Sequence, residues 1–600
     1  MSFQYHPLPQ GSKVIRLLEL QPGREKETIR CRLQQYSLAS KAIDYEPLSY
    51  CWGDTRRRLP ILLDGQCMEV TRNLHAALLA LRREESTRFL WADAVCINQN
   101  DVSEKGEQVQ MIRQIYQRGS QTLAWLGKLP LEAQLAFRSI QGSVGASKIS
   151  TSHTESQYLE NLRALLELPY FTRVWVVQEI AVSPSVRIIS GRDSISWDDL
   201  VNAIQMTITD KMGPRPYIDE RFYYMRSFTR FASMSYTRSK FLADGHLDLT
   251  LLLADHRNCA ASDTRDKLYA LLGLANEAKV VNELHISPDY REEHTAAEAF
   301  TDTAASILKV SGNLDLLSIP RISTSDPSEL SLPTWVPDWS RPSISYALPP
   351  ISSKWSFATT RKSSSHPIFR DASTLGLLGY VFDEVSRTTP GAAERPGPVP
   401  NLSRFGLWFS QVAATTRFVT KNTRAWKTWR REIGSHYAGR YVTGESISRV
   451  FWRTLTCGRP FGNENDELQA YNKWEKDVGS RKGPSGVIDL SFIWMIYACA
   501  REIRRDLGTS LLGIKSSEVR NAAVLMSYGR SIFVSKGGYI GLGPSSLHAG
   551  DCLAFLEGGK APYVLRRKGE LYEIVGDCYI HGLMQGEAFD STKSERIWLR

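Results

Sequence analysis

The chain has 600 residues and a mass of 67.7 kDa, with 42% hydrophobic, 23% charged and 10% aromatic residues, which excludes a disordered, collagen-like or coiled-coil protein. Its most apolar run, Leu490 to Ala500, is shorter than the ~20 residues a spanning helix needs. The net charge of +10 comes from 74 Lys and Arg against 64 Asp and Glu, scattered in short clusters (Arg56 to Arg58, Trp426 to Arg431, Arg504-Arg505) rather than gathered into a nucleic-acid motif.

Read in chain order, the first strand is expected over Val14 to Leu20, ahead of a Pro-Gly turn. Ile29 to Leu33 alternates apolar and basic residues, the pattern of a half-exposed strand. Tyr45 to Trp52 reads as another short strand, closed by Gly53-Asp54. Pro60 to Leu63 and Met68 to Val70 flank Asp64-Gly65, a pair favoured in two-residue hairpin turns. Thr71 is placed to cap a helix on which Leu74, Leu78 and Leu81 share one face. Phe89 to Ile97 is almost continuously apolar, as in a strand buried on both faces of a parallel sheet. A helix with Val109, Ile112, Ile115 and Tyr116 on one side comes next, then a short strand from Gln121 to Leu126. This alternation predicts an open α/β sheet.

The pattern weakens over 128–157, read as an insertion or loop, and resumes with a helix over Tyr158 to Leu168 and the compact segment Val174 to Ala181. Helical periodicity recurs at Leu247 to Asp255, Asp266 to Leu274 and Ala296 to Val310. Ser, Pro and Trp dominate 319–375, and the Pro/Gly run at 385–403 is the best linker or long loop. The stretch 404–530 is mainly helical by pattern, and from 531 short strands separated by Gly and Pro predict a small β-sheet or barrel. The expected organisation is an α/β domain over 1–200, a helical region over 201–384, a linker over 385–403, a second helical region over 404–530 and a β-rich region over 531–600.

The nine cysteines lie far apart with no Cys-x-x-Cys pair and no zinc spacing, so no metal site is expected, and a reducing compartment, cytoplasm or nucleus, is. The start Met1 to His6 lacks the basic-then-apolar text of a secretory signal. Phosphate-loop, dinucleotide-binding, zinc-protease and nucleophile-elbow signatures are absent from the sequence.

Three blocks concentrate unusual residues: Leu48-Ser49-Tyr50-Cys51-Trp52-Gly53-Asp54, Leu90 to Gln99, and Arg173-Val174-Trp175-Val176-Val177-Gln178-Glu179. The first two read as strands ending in polar groups, and ligands of open α/β sheets sit beyond such ends. Asp54, Asn98 and Gln99 fall there; Asp93 stands within the apolar run and needs a partner. Each also has a plain structural reading: Asn98 as a helix cap, Trp52, Trp91 and Trp175 as core, Glu179 as a surface or ion-paired carboxylate.

In this order, and with Gln108-Val109, Ile115-Tyr116 and Trp125-Leu126-Gly127 between them, the blocks resemble the fungal heterokaryon-incompatibility (HET) domain. Later segments, Thr264 to Leu274, Leu332 to Trp339 and Tyr579 to Glu587, are similar to segments found C-terminal to this domain in fungal relatives. The resemblance implies a trigger or effector of non-self recognition and regulated cell death, with self-association or another incompatibility protein as partner. It also implies a remote kinship with the TIR domain and its open parallel sheet. Some TIR domains cleave NAD with a glutamate four residues after a tryptophan; Trp175 and Glu179 have that spacing. By that likeness Glu179 is the candidate catalytic residue, with Asp54 a lesser one. Tyr50, Trp52, Asp93, Asn98 and Trp175 are the candidates to hold NAD, a substrate rather than a required cofactor, with Tyr50 or Trp52 stacking on a ring. Two mechanisms stay open at this point: NAD cleavage at Glu179, or a non-catalytic module that assembles with partners while Glu179 pairs with Arg173. Nucleic-acid binding, from the basic pI near 9.0, is a minor alternative.

Overall fold

The computed structural model describes residues 3–9, 11–40, 44–143, 155–212, 226–276, 283–320, 330–342, 348, 357–360, 364–389, 425–426, 428–434, 437, 440–459, 469, 526–527 and 529–600. The chain divides into two compact units, one of Met1–Ser306 with Trp339–Arg341, the other of Ile307–Asp338 with Pro342–Arg600.

The first unit opens with the antiparallel pair β1 (Val14–Leu20) and β2 (Arg30–Ser37), then β3 (Glu46–Tyr50). β4 (Arg58–Leu63) and β5 (Gln66–Thr71) pair in the register Leu63 to Gln66. That leaves Asp64-Gly65 as the two-residue turn, both at positive φ (50° and 78°), as the sequence predicts. Thr71 caps α1 (Arg72–Leu81), its hydroxyl accepting from the Leu74 N–H at 3.3 Å. β6 (Arg88–Trp91), the single turn α2 (Asp93–Cys96), α3 (Val102–Arg118) and β7 (Thr122–Trp125) come next. After them stand α4 (Leu131–Gly142), α5 (Glu155–Leu166), the turn α6 (Pro169–Thr172), α7 (Val174–Ala181), β8 (Val186–Ser190), β9 (Asp193–Ser196) and α8 (Trp197–Met212).

The strand order is β5-β4-β2-β1-β6-β3-β7-β8-β9. The expected α/β architecture is present, with a parallel centre, β6-β3-β7-β8. The sheet as a whole is mixed rather than purely parallel, because β1 runs antiparallel to both β2 and β6, and two hairpins close the ends. Two local expectations are corrected. The Phe89–Ile97 run does not stay extended: the strand stops at Trp91, and Asp93–Cys96 form a helical turn within which the Asp93 carboxylate takes the Ala94 N–H at 2.8 Å. Part of the expected loop over 128–157 is helix α4, whose Ala133, Ala136, Phe137 and Ile140 are buried at helical spacing.

The helical middle contains α9 (Arg226–Asp244), α10 (Leu249–Asp255), α11 (Asp266–Leu272) and α12 (Ala296–Ser311), close to the predicted segments.

The second unit is built on another nine-stranded sheet. Its long strand β11 (Leu375–Thr388) pairs with β10 (Ile368–Phe369), β12 (Arg530–Ser535), β14 (Cys552–Leu556) and β18 (Glu595–Leu599). β13 (Ile540–Pro544), β15 (Tyr563–Lys568), β16 (Leu571–Asp577) and β17 (Tyr579–Ile580) complete it. The predicted C-terminal strands are there, and the sheet recruits β11 from outside the expected 531–600 region, so residues 385–388 are strand. Its core gathers Tyr380, Phe533, Leu553, Phe555, Val564, Cys578 and Ile580. A helix, α13 (Ile447–Leu455), is described within the expected helical region 404–530, most of which lies outside the described residues, as does the Pro/Gly run 390–403.

Candidate functional site

The site begins with strand β3, whose apolar text is interrupted by Ser49. Ser49 is fully buried, and a buried hydroxyl needs partners. It donates to the Glu179 carboxylate and stands 2.7 Å from the Tyr170 hydroxyl. Two stretches far apart in sequence therefore meet at one point: the end of β3, and the consecutive turn α6 and helix α7.

α7 forms because Val174, Val176, Val177, Ile180 and Ala181 bury an apolar helix among its neighbours. That burial carries Glu179 inside, to 8% exposure. Loss of hydration disfavours the carboxylate and pushes its pKa from 4.5 up to about 7, with Asp93 adding to the rise. The Arg173 guanidinium and the Ser49 hydroxyl pull the other way. Arg173 itself donates to the Tyr50 carbonyl, so the cation is fixed across the last residue of β3. Burial likewise lifts the Tyr50, Tyr116 and Tyr170 phenols well above their ordinary value, and Glu179 adds to the rise for Tyr116 and Tyr170. Tyr116 is anchored by its hydroxyl on the Leu48 carbonyl at 3.2 Å.

Beyond the strand ends, Trp52 donates its indole N–H to Asp93 at 2.8 Å, joining the tail of β3 to the turn after β6. Gln99 reaches back to the Asp93 carbonyl at 3.0 Å. Asn73 ties the tail of β3 to the end of β7: its amide donates to the Cys51 carbonyl at 2.6 Å and accepts from the Trp125 indole at 3.0 Å. Gly53 and Gly127 flank it at φ 74° and 76°; a Cβ on Gly127 would stand 3.3 Å from Asn73 Oδ1, so glycine suits both the turn and the space.

The sequence candidates thus separate into groups. Glu179, Tyr50, Asp93 and Trp52 lie in one connected region. Tyr50 is buried to 2% exposure, and its hydroxyl meets no hydrogen-bond partner among the described residues. Trp175 is half-buried, one turn before Glu179 on α7, and it lowers the pKa of Asp266. Asp54 sits apart in an exposed turn, paired with Arg56 at 2.9 Å and Arg57 at 3.6 Å. Asn98 serves its own loop: its backbone N–H binds Glu104 at 2.7 Å and its side chain accepts from Asn100 at 3.3 Å. The cap of α3 is Asp101 instead. Glu104 is in turn gripped by the buried Arg16 at 2.6 and 2.8 Å. Ser49, Tyr170 and Asn73 join the site without having been expected there; for Ser49 the local signal is a polar residue inside the apolar β3. Among the described residues no group of three or more His, Cys, Asp or Glu could hold a metal.

A mixed sheet with a parallel centre, polar groups collected past the strand ends and a buried glutamate on an adjoining helix define an α/β domain. Residues 45–179 match the family model for heterokaryon incompatibility protein (HET), and residues 511–599 match the Het-6 beta-barrel domain. In these two segments the chain resembles the fungal heterokaryon-incompatibility (HET) domain proteins. Over its whole length it is similar to heterokaryon incompatibility protein 6, OR allele, of Neurospora crassa, at 25% identity across 100% of this chain and 98% of that protein. No solved structure matches. Among the described residues no helix is long and apolar enough to cross a membrane.

Proposed function

We propose that this chain acts in heterokaryon incompatibility as a trigger or effector of cell death, and that its TIR-like HET domain does so by cleaving NAD at Glu179. The two domain matches and the full-length similarity to a protein named for incompatibility support the first part. One observation carries the second: a buried carboxyl with its pKa raised to about 7, held by Ser49 beside Arg173 and Tyr170, close to the carboxyl ends of parallel strands.

In that reaction the bond between ribose C1′ and the nicotinamide nitrogen breaks. Nicotinamide leaves with the electron pair, positive charge develops on the ribose, and water adds at C1′ with release of a proton. An ionised Glu179 would oppose the developing charge, as glycosidase carboxylates do. A group half-ionised near neutrality supplies that charge at cellular pH.

The 8% exposure of Glu179 favours a second reading, in which its carboxyl pins α7 to β3 and the domain works as a self-associating or partner-binding module in the cytoplasm. Expression in a fungal host separates the two. The cleavage reading expects growth arrest and death with the natural chain, lost in Glu179→Gln at equal protein level. Death undiminished in Glu179→Gln contradicts it and supports the module.

A further inference from the structure

The family match ends at Glu179, yet α7 is not held by the matched segment alone. At its carboxyl end the buried Arg238 of α9 donates to the carbonyls of Ile180 and Ser183, each at 2.6 Å. A cation there satisfies carbonyls the helix leaves open and complements its dipole. At its amino end a short parallel bridge forms to residue 260: the Val174 N–H binds the Ala260 carbonyl at 2.9 Å, and the Ala260 N–H binds the Thr172 carbonyl at 2.5 Å. On its flank, Gly273 lies so close that a Cβ there would fall 2.4 Å from the Gln178 amide oxygen.

The remaining hold is Asp266, the first residue of α11. Its carboxylate accepts the Tyr290 hydroxyl at 2.6 Å, and the Trp175 side chain of α7 holds its pKa down. The Tyr290 ring lies under Lys105 of α3 at 4.6 Å and Arg265 at 5.4 Å. Arg265 spans the same segment, donating to the carbonyls of Arg291 and His294 at 2.9 Å. The Thr264 to Leu274 segment therefore builds a bracket around the glutamate helix.

We infer that residues 226–294 belong to the working unit of the HET domain, and that Asp266 is a positioning residue that fixes the Glu179 helix through Trp175. This deepens the proposed reading of Glu179 and rests on it for its catalytic consequence; the positioning itself does not.

Two readouts on the full chain keep those claims apart. The first compares Tm across pH 4.5–8.5 for each protein with and without Glu179→Gln, which gives the titration midpoint of Glu179. Asp266→Ala should move that midpoint by about one unit or more toward an ordinary carboxylate, as a loosened α7 lets water reach Glu179. Asp266→Asn, which still accepts from Tyr290 and keeps the volume beside Trp175, should keep it. Should Asp266→Ala not fold, Tyr290→Phe removes the hydroxyl donor and should give a smaller shift in the same direction. The second readout is nicotinamide release, expected to fall about tenfold in Asp266→Ala and to return to within about twofold in Asp266→Asn. An unmoved midpoint in a folded Asp266→Ala, or in Tyr290→Phe if that is the variant obtained, overturns the positioning role. A moved midpoint without nicotinamide release from the natural chain leaves positioning standing and overturns catalysis instead.

Discussion

Glu179→Gln is expected to make the chain more stable, by about 2–3 kcal/mol at pH 8, although it removes a buried charge from the centre of the proposed site. The carboxyl has its pKa near 4.5 when the chain is unfolded and about 7 when folded. Between those values the folded state binds more protons, so stability falls as pH rises from about 4.5 and the loss is complete above about 7. A displacement of about 2.5 units corresponds to roughly 3 kcal/mol. Gln carries no such penalty, and its carbonyl can still accept from Ser49. Thermal unfolding across this range should therefore show a gain that vanishes toward pH 4.5. A pH-independent difference would show that the carboxyl titrates normally. A substitution that stabilises at a proposed functional position fits the common trade of stability for activity.

The second large effect lies in the β-rich unit. Arg530 and Asp577 are both nearly fully buried, 2.6 Å apart, and Arg530 also binds the Asp577 carbonyl at 2.9 Å. Asp577 accepts as well from the Leu348 N–H at 2.6 Å. Arg530→Met should cost about 3–5 kcal/mol, because it leaves a carboxylate in the core without its cation. Pairing it with Asp577→Leu should recover part of that loss, since no uncompensated charge remains. Amide hydrogen exchange in β12 and β16 reads this locally, without requiring the two units to unfold together. Equal protection in Arg530→Met and the natural chain would contradict the cost assigned to the pair.

Legibility in the sequence is local. Asp64-Gly65, the Thr71 cap and the leucine face of α1 each carry their own signal within a few residues. The parallel centre is announced by alternating strands and helices. The run Phe89 to Ile97 misleads because apolar text alone does not distinguish a strand from a buried helical turn. Here the strand gives way after Trp91 to the turn Asp93–Cys96. The antiparallel pairing of β1 with β6 and the recruitment of β11 depend on pairings across long stretches of chain, which leave no local mark. The candidate site divides the same way. Glu179 and Trp175 stand out by spacing and resemblance. Ser49, 130 residues from Glu179, becomes its partner only in the fold, and Tyr170 reaches the pair through the Ser49 hydroxyl. Asp54 looks equivalent in sequence, but its neighbours Arg56 and Arg57 hold it at the surface.

The most direct test of the central claim is nicotinamide release from NAD by the purified full-length chain, measured beside Glu179→Gln. The account predicts release by the natural chain and its loss in the variant, even though the variant unfolds at higher temperature above neutral pH. Release that persists in Glu179→Gln, or none from the natural chain at high protein concentration, would contradict it.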